Sequence, residues 1–202
     1  VDWKAFEGEA ESHPFDPQRY MNWRFFWDYS GGNVFENMVH PAGFWYKALG
    51  LKIPESVTMT GANYLSPKMQ VPDTMNVTMN QPEKIFFTWN SMFSNNYYGE
   101  GYDLLLGTKG TVMQNESDVV RYWPQGERRS AGAEEGKDSD NTGYSDSTEA
   151  HLQNFFECVQ SRKEPICGFE LGFRAAIACQ MAIRSYREGR TIRWDEKREE
   201  IV

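Results

Sequence analysis

Glu36 and His40 stand four residues apart in the 202-residue sequence, a spacing that puts both side chains on one face of a helix. A carboxylate beside an imidazole favours the protonated ring and fixes its orientation, which suits the pair to exchanging a proton with a ligand near neutral pH. The same spacing is commoner on solvated helix faces, so the pattern alone leaves both readings open. Two neighbours favour chemistry. Gly31-Gly32 lets a backbone or ligand approach the helix start, and Gly43, about one turn past His40, leaves room beside the imidazole. The other histidines, His13 and His151, read as surface residues. No HxxxH or HExxH is present, and Cys158, Cys167 and Cys179 have gaps of 9 and 12. The sequence therefore predicts no metal site and no disulfide framework, and the cysteines read as buried or free thiols. There is no GxSxG elbow, no P-loop and no GxGxxG after a strand, so the chain holds no dinucleotide by the standard route.

The pair needs a helix, and one is predicted over 34–49. Asn33 is a fair N-cap, Phe35, Met38, Val39, Ala42, Tyr46 and Leu49 recur at helical spacing, and Gly50 closes the element. Pro41 removes the N–H that would bond to the carbonyl of Asn37, so a kink is expected one turn after Glu36. Ahead of the helix, the first 30 residues read as an irregular arm ending in the aromatic run Tyr20–Tyr29, either packed over the domain or lining a ligand. Period-two alternation is clearest at 73–80, where Met75, Val77 and Met79 oppose Thr74, Asn76, Thr78 and Asn80. Similar strands are expected near 55–65, 84–93, 102–107, 110–115 and 118–123, with a last one at 191–194. Their short connections favour antiparallel pairing. After a polar loop at 125–147, helices follow at about 148–162 and 168–188. The second carries Gly172, Ala175, Ala176, Ala178 and Ala182, small residues suited to close packing on a sheet. The fold class read from this order is α+β, a predominantly antiparallel mixed sheet with helices packed on one face, in a single domain over 1–202. The Thr/Asn sheet face is left over as a surface for self-association.

Composition narrows the partners. With 29 acidic against 21 basic residues, a net charge of −8 and no basic run, the sequence lacks the cationic stripe that nucleic acid requires. No apolar run reaches the ~18–20 residues of a membrane helix. Thirteen Phe, ten Tyr and seven Trp supply an ample core. A small neutral or polar ligand fits this balance best.

The run Trp23-Arg24-Phe25-Phe26-Trp27-Asp28-Tyr29-Ser30-Gly31-Gly32, His40, and Ala48-Leu49-Gly50 resemble the Gfo/Idh/MocA oxidoreductases. So do Leu106-Gly107-Thr108-Lys109-Gly110-Thr111, His151-Leu152-Gln153-Asn154-Phe155 and Tyr186-Arg187-Glu188-Gly189-Arg190, in the family's order. The resemblance implies a C-terminal α/β domain that binds substrate and drives oligomerisation. An N-terminal Rossmann domain, outside this sequence, would hold NAD or NADP and carry the family's catalytic Lys. It implies a sugar or cyclitol hydroxyl as substrate, His40 as acid/base and Glu36, where the family has Asp, as the residue orienting it. Gly43 stands where many relatives carry a second Asp. Arg24, Asp28 and Tyr29, next to the Gly-Gly turn, are the expected substrate-binding residues. A homo-oligomer through the sheet face is expected. Some relatives use the nicotinamide transiently to cleave a glycoside, and that alternative stays open, as does a non-catalytic carbohydrate-binding or dimerisation module.

Overall fold

The computed structural model describes residues 1–64, 68–93, 95, 102–115, 120–126 and 144–202. They form two compact units, Val1–Asn95 with Phe169–Val202, and Asn96–Gly168. The polar loop expected at 125–147 lies largely outside the described residues.

The first unit contains a five-stranded sheet in the order β3-β2-β1-β7-β8, formed by β1 (Ser56–Ala62), β2 (Thr74–Asn80), β3 (Phe86–Met92), β7 (Ile192–Asp195) and β8 (Glu200–Ile201). Every pairing in it is antiparallel. Alternation sorts the side chains as the sequence predicts. Val57, Met59, Met75, Val77 and Met79 are buried, while Thr60, Asn80, Thr88 and Asn90 face outward. Over the apolar face lies the helix α5 (Phe169–Glu188), whose Ala175, Ala178, Cys179, Met181, Ala182 and Ile183 are buried where it packs on β1 and on the helix at Val39–Leu49. The small residues earn this contact selectively: a Cβ on exposed Gly172 would meet nothing within 4 Å. Ser185, nearly fully buried, ties the layers together by accepting from the Met59 amide (2.9 Å) and donating to the Arg190 carbonyl (2.6 Å).

The helix carrying the Glu/His pair has two parts, a π-helical turn at Val34–Met38 and α3 at Val39–Leu49. It meets α5 along its length. The expected irregularity around Pro41 takes the form of this wide turn, which makes i→i+5 bonds and eases the crowding between the proline ring and the preceding turn. The termination is as predicted: Gly50 is left-handed (φ 65°) and its N–H donates to the Tyr46 carbonyl. The beginning differs. Asn33 is already helical (φ −58°, ψ −28°) and makes no cap bond. Its side chain is buried instead, donating to Ser91 Oγ of β3 at 2.5 Å and accepting from Asn37. Ser30 Oγ takes the cap's place by accepting from the Gly32 amide (2.9 Å).

In the second unit, β4 (Tyr102–Gly107), β5 (Gly110–Asn115) and β6 (Val120–Pro124) form a three-stranded antiparallel sheet, and α4 spans Tyr144–Ser161. The single sheet of the sequence reading is thus two sheets. The arm also differs from the irregular segment expected. It contains α1 (Trp3–Glu7), capped by Asp2, and α2 (Pro17–Met21), capped by Asp16 with Pro17 in the first turn. A turn of 3₁₀ helix follows at Trp23–Phe25.

Candidate active site

The Gly-Gly turn sets the geometry. Gly32 has φ +66°, and a Cβ there would strike Val71; a Cβ on Gly31 would strike Phe35. Only glycine fits at Gly32 on both counts. The segment just before the turn is held from behind, because the Gln70 and Val71 amides donate to the Phe25 carbonyl (2.9 and 3.1 Å) and the Trp27 amide donates to Gln70 Oε1 (3.0 Å). The aromatic run is therefore pinned against the start of the helix.

His40 is exposed on α3, and a Cβ built on Gly43, about one turn further on, would find no atom within 4 Å. Glu36 lies in the π turn. Its carboxylate accepts from Arg24 Nε at 3.0 Å, so it engages Arg24 rather than His40. Arg24, 55% exposed, stacks over the Trp23 ring with its guanidinium carbon 4.4 Å from the centroid. With Nε engaged, its two Nη groups face solvent as a fork suited to oxygen ligands. The structure thus joins Arg24 to Glu36 on the helix that presents His40.

Asp28 and Tyr29 belong to a different network. Asp28 Oδ2 accepts from Arg19 Nη1 at 2.6 Å and lies 3.1 Å from His13 Nε2. Burial raises the Asp28 carboxyl, but the bonds from Arg19 and His13 prevail and hold it below the ordinary aspartate value. His13, read from sequence as a surface residue, is half-buried, and its amide also donates to Glu7 Oε1 (2.6 Å). Glu7, itself buried, accepts from Ser12 Oγ as well, and Trp3 Nε1 donates to the His13 carbonyl (2.8 Å). Tyr29 sits among Trp3 and Phe6. Sequence reasoning missed this clamp because its bonded partners are 5 to 15 residues apart in a stretch without periodicity. The Asp16-Pro17 pair, a helix-start signal, was the available hint that the arm is ordered.

Glu11, His13 and Asp28 offer donor atoms within 4.8 Å of one another, the spacing of a metal site. Arg19 argues against that use, since its guanidinium, 2.6 Å from Asp28 Oδ2, already places a positive charge on that carboxylate. The cysteines are free; Cys167 is exposed, Cys158 half-buried and Cys179 buried, where burial pushes its thiol up to about 12. No helix among the described residues is long and apolar enough to cross a membrane.

The sequence profile described as "Oxidoreductase family, C-terminal alpha/beta domain" matches residues 4–193. None of the curated protein sequences is significantly similar to the chain. Among solved structures, the chain is similar to aldose-aldose oxidoreductase from Caulobacter crescentus, complexed with glycerol. That match has 20% identity and a TM-score of 0.66, over 89% of this chain and 52% of the other. It is also similar to the WlbA dehydrogenase from Bordetella pertussis in complex with NADH and UDP-GlcNAcA, at 21% identity and TM-score 0.65, over 89% and 54%. A levoglucosan dehydrogenase, in complex with NADH and L-sorbose, aligns at 14% identity and TM-score 0.69, over 95% and 55%. The chain spans about half the length of these proteins.

Proposed function

The chain belongs to the Gfo/Idh/MocA oxidoreductases as their C-terminal α/β domain, and from that premise we propose that it is the substrate-binding half of an NAD(P)-dependent enzyme acting on a sugar or cyclitol hydroxyl. The observation that carries the reading is the exposed His40, with the uncrowded Gly43 about one turn on, presented on a helix that starts from a turn requiring glycine at Gly32. In this proposal His40 Nδ1 or Nε2 takes the proton of the reacting hydroxyl during oxidation and returns it during reduction. Glu36 is a positioning residue: it holds Arg24, whose free Nη groups bind neighbouring hydroxyls. Asp28 and Tyr29 line the substrate's far side. Similar proteins crystallised with NADH together with a nucleotide sugar or with L-sorbose support the substrate class and the cofactor.

The described residues do not fit the nicotinamide nucleotide itself. Every strand pair among them is antiparallel, whereas the dinucleotide cradle is built on parallel strands joined through a helix. That pairing supports the reading in which NAD or NADP, and the redox half of the reaction with it, belong to a second, Rossmann domain.

The test is His40→Ala in the protein that carries both domains. Loss of a positioned acid/base group is expected to lower kcat by roughly 100- to 10,000-fold with KM little changed. An undiminished kcat would remove His40 from the chemistry.

The outward sheet face is the proposed self-association surface. Its polar side chains are ordered in cross-strand rows: Asn80 Nδ2 donates to Ser56 Oγ (3.0 Å), Asn76 bonds Asn90, and Thr58 and Thr191 share a bond of 2.8 Å. Side chains already fixed in rows lose little entropy when a second copy covers them.

A further inference from the structure

A chain of hydrogen bonds starts in the sheet and ends on the helix face that displays His40. Asn33, only 3% exposed, donates through Nδ2 to Ser91 Oγ of β3, which leaves its Oδ1 turned toward the helix. Asn37 donates through Nδ2 to that Oδ1. An amide that gives its nitrogen inward presents its carbonyl oxygen the other way, and among the described residues nothing donates to Asn37 Oδ1. Asn37 itself is exposed. A buried amide such as Asn33 is tolerated only because its bonds are made. The result is a surface carbonyl whose direction is set from within the sheet.

Location ties this oxygen to the proposed chemistry. Asn37 lies in the π turn, a feature frequent at functional sites, and three residues before His40, with both side chains exposed. Helix residues at that spacing are neighbours, about 5–6 Å apart between Cβ atoms. Glu36, next to Asn37 in the chain, holds Arg24. A guanidinium has donors only, so its fork takes a hydroxyl, an ether or a carbonyl oxygen alike. Selecting a hydroxyl requires an acceptor for its proton. Glu36 is neutralised by Arg24, whereas Asn37 Oδ1 is a neutral acceptor already fixed in place, and a bond to it forfeits little side-chain entropy. We infer that Asn37 is a specificity residue of the site: its Oδ1 accepts from the hydroxyl adjacent to the one that reacts at His40, so the substrate presents a vicinal diol. Asn33 and Ser91 are positioning residues that aim it. The inference rests on the reading of His40 as the acid/base group and names the neighbouring hydroxyl as the one the site selects.

The experiment is NMR titration of the full chain, without nucleotide, with myo-inositol, cis-1,2-cyclohexanediol and 1,4-cyclohexanediol, the two diols being equal in hydroxyl number. myo-Inositol should shift the Asn37 side-chain amide and the His40 ring together. The 1,2-diol should bind about fivefold more tightly than the 1,4-diol, the worth of one hydrogen bond. Asn37→Ala, at an exposed position where the fold is checked by unchanged backbone signals, should remove that preference. Asn37→Asp keeps an acceptor oxygen and should retain it; loss there would show that the outward atom is a donor and overturn the assignment. Ser91→Ala should weaken the preference without altering 1,4-diol binding, and an unaltered preference would overturn the relay. Shifts at His40 with a preference that survives Asn37→Ala would overturn the role of Asn37 and leave His40 standing. A changed His40 tautomer in the ligand-free Asn37→Ala chain would mean that Asn37 braces the imidazole, and would likewise overturn the contact with substrate. No shift at either residue with any probe would overturn both readings.

Discussion

Asp28 illustrates how much a single residue's role depends on partners far away in sequence. The sequence places it beside the Gly-Gly turn as a candidate ligand for substrate; in the structure Arg19 and His13 share one of its oxygens, and it anchors the arm. A carboxyl held low in the folded state binds fewer protons than the unfolded chain just below the ordinary aspartate pKa of about 3.9. Stability therefore rises with pH across that window; the contribution is fully present above it and lost as pH falls through the depressed folded value. Unfolding free energies of the native chain and Asp28→Asn, measured by urea titration from pH 2.5 to 7, should differ by a constant amount above about pH 5 and converge at the acid end. A difference independent of pH would mean that the clamp works by packing alone. Glu36 shows the same dependence. Its spacing to His40 is plain in the sequence, but its partner, Arg24, is twelve positions away and comes within reach only because the Gly-Gly turn folds the aromatic run back. Pairings between distant, non-periodic residues leave no mark in a single sequence.

Among the elements, legibility followed periodicity. β2 and β3 kept the expected alternation, and β4 and β5 have the predicted limits, 102–107 and 110–115, because a polar/apolar period of two and glycine turns are local signals. The arm's helices were harder to see, each being only five residues long and stabilised by a cap and by aromatic packing rather than by an apolar stripe. The N-terminus of the helix carrying His40 differs from expectation at Asn33 because a good capping residue is equally good at pairing inside a core, and here Ser91 and Asn37 decide the matter. The burial of α5 makes a chemical prediction. With Cys179 buried and its thiol pushed up to about 12, a thiol reagent such as dithionitrobenzoate at pH 8 should modify exposed Cys167 promptly and Cys179 only on unfolding. Rapid labelling of Cys179 in the native chain, located by peptide mass analysis, would show that α5 opens from the sheet.

The whole molecule is best understood by what its strands cannot do. Antiparallel pairing throughout the described residues builds a platform with one apolar face covered by α5 and one polar face in ordered rows, and provides no nucleotide cradle. The similar structures are about twice as long as this chain, and the proposed function places the nucleotide on that additional length. The proposed association makes a prediction at this scale. Thr78→Arg, placing like charges opposite each other in the middle of the outward face, should convert an oligomer to a monomer in light scattering without changing the circular dichroism spectrum. A native chain that is monomeric at 100 µM, as a stated test concentration of order 10⁻⁴ M, would remove the sheet face as a self-association surface.

The π turn at Val34–Met38 acts as an angular gear. In an α-helix each residue advances the direction of its side chain by about 100°, so the surplus residue in a wide turn changes the heading of everything ahead of it relative to everything after. The eight positions from Gly32 to His40 therefore fix more than a length: they set the compass bearing at which the aromatic run leaves the helix that displays the imidazole. A chain that differed by one residue in this short interval would point its Trp-Arg segment along another bearing relative to the same helix, with every side chain retained.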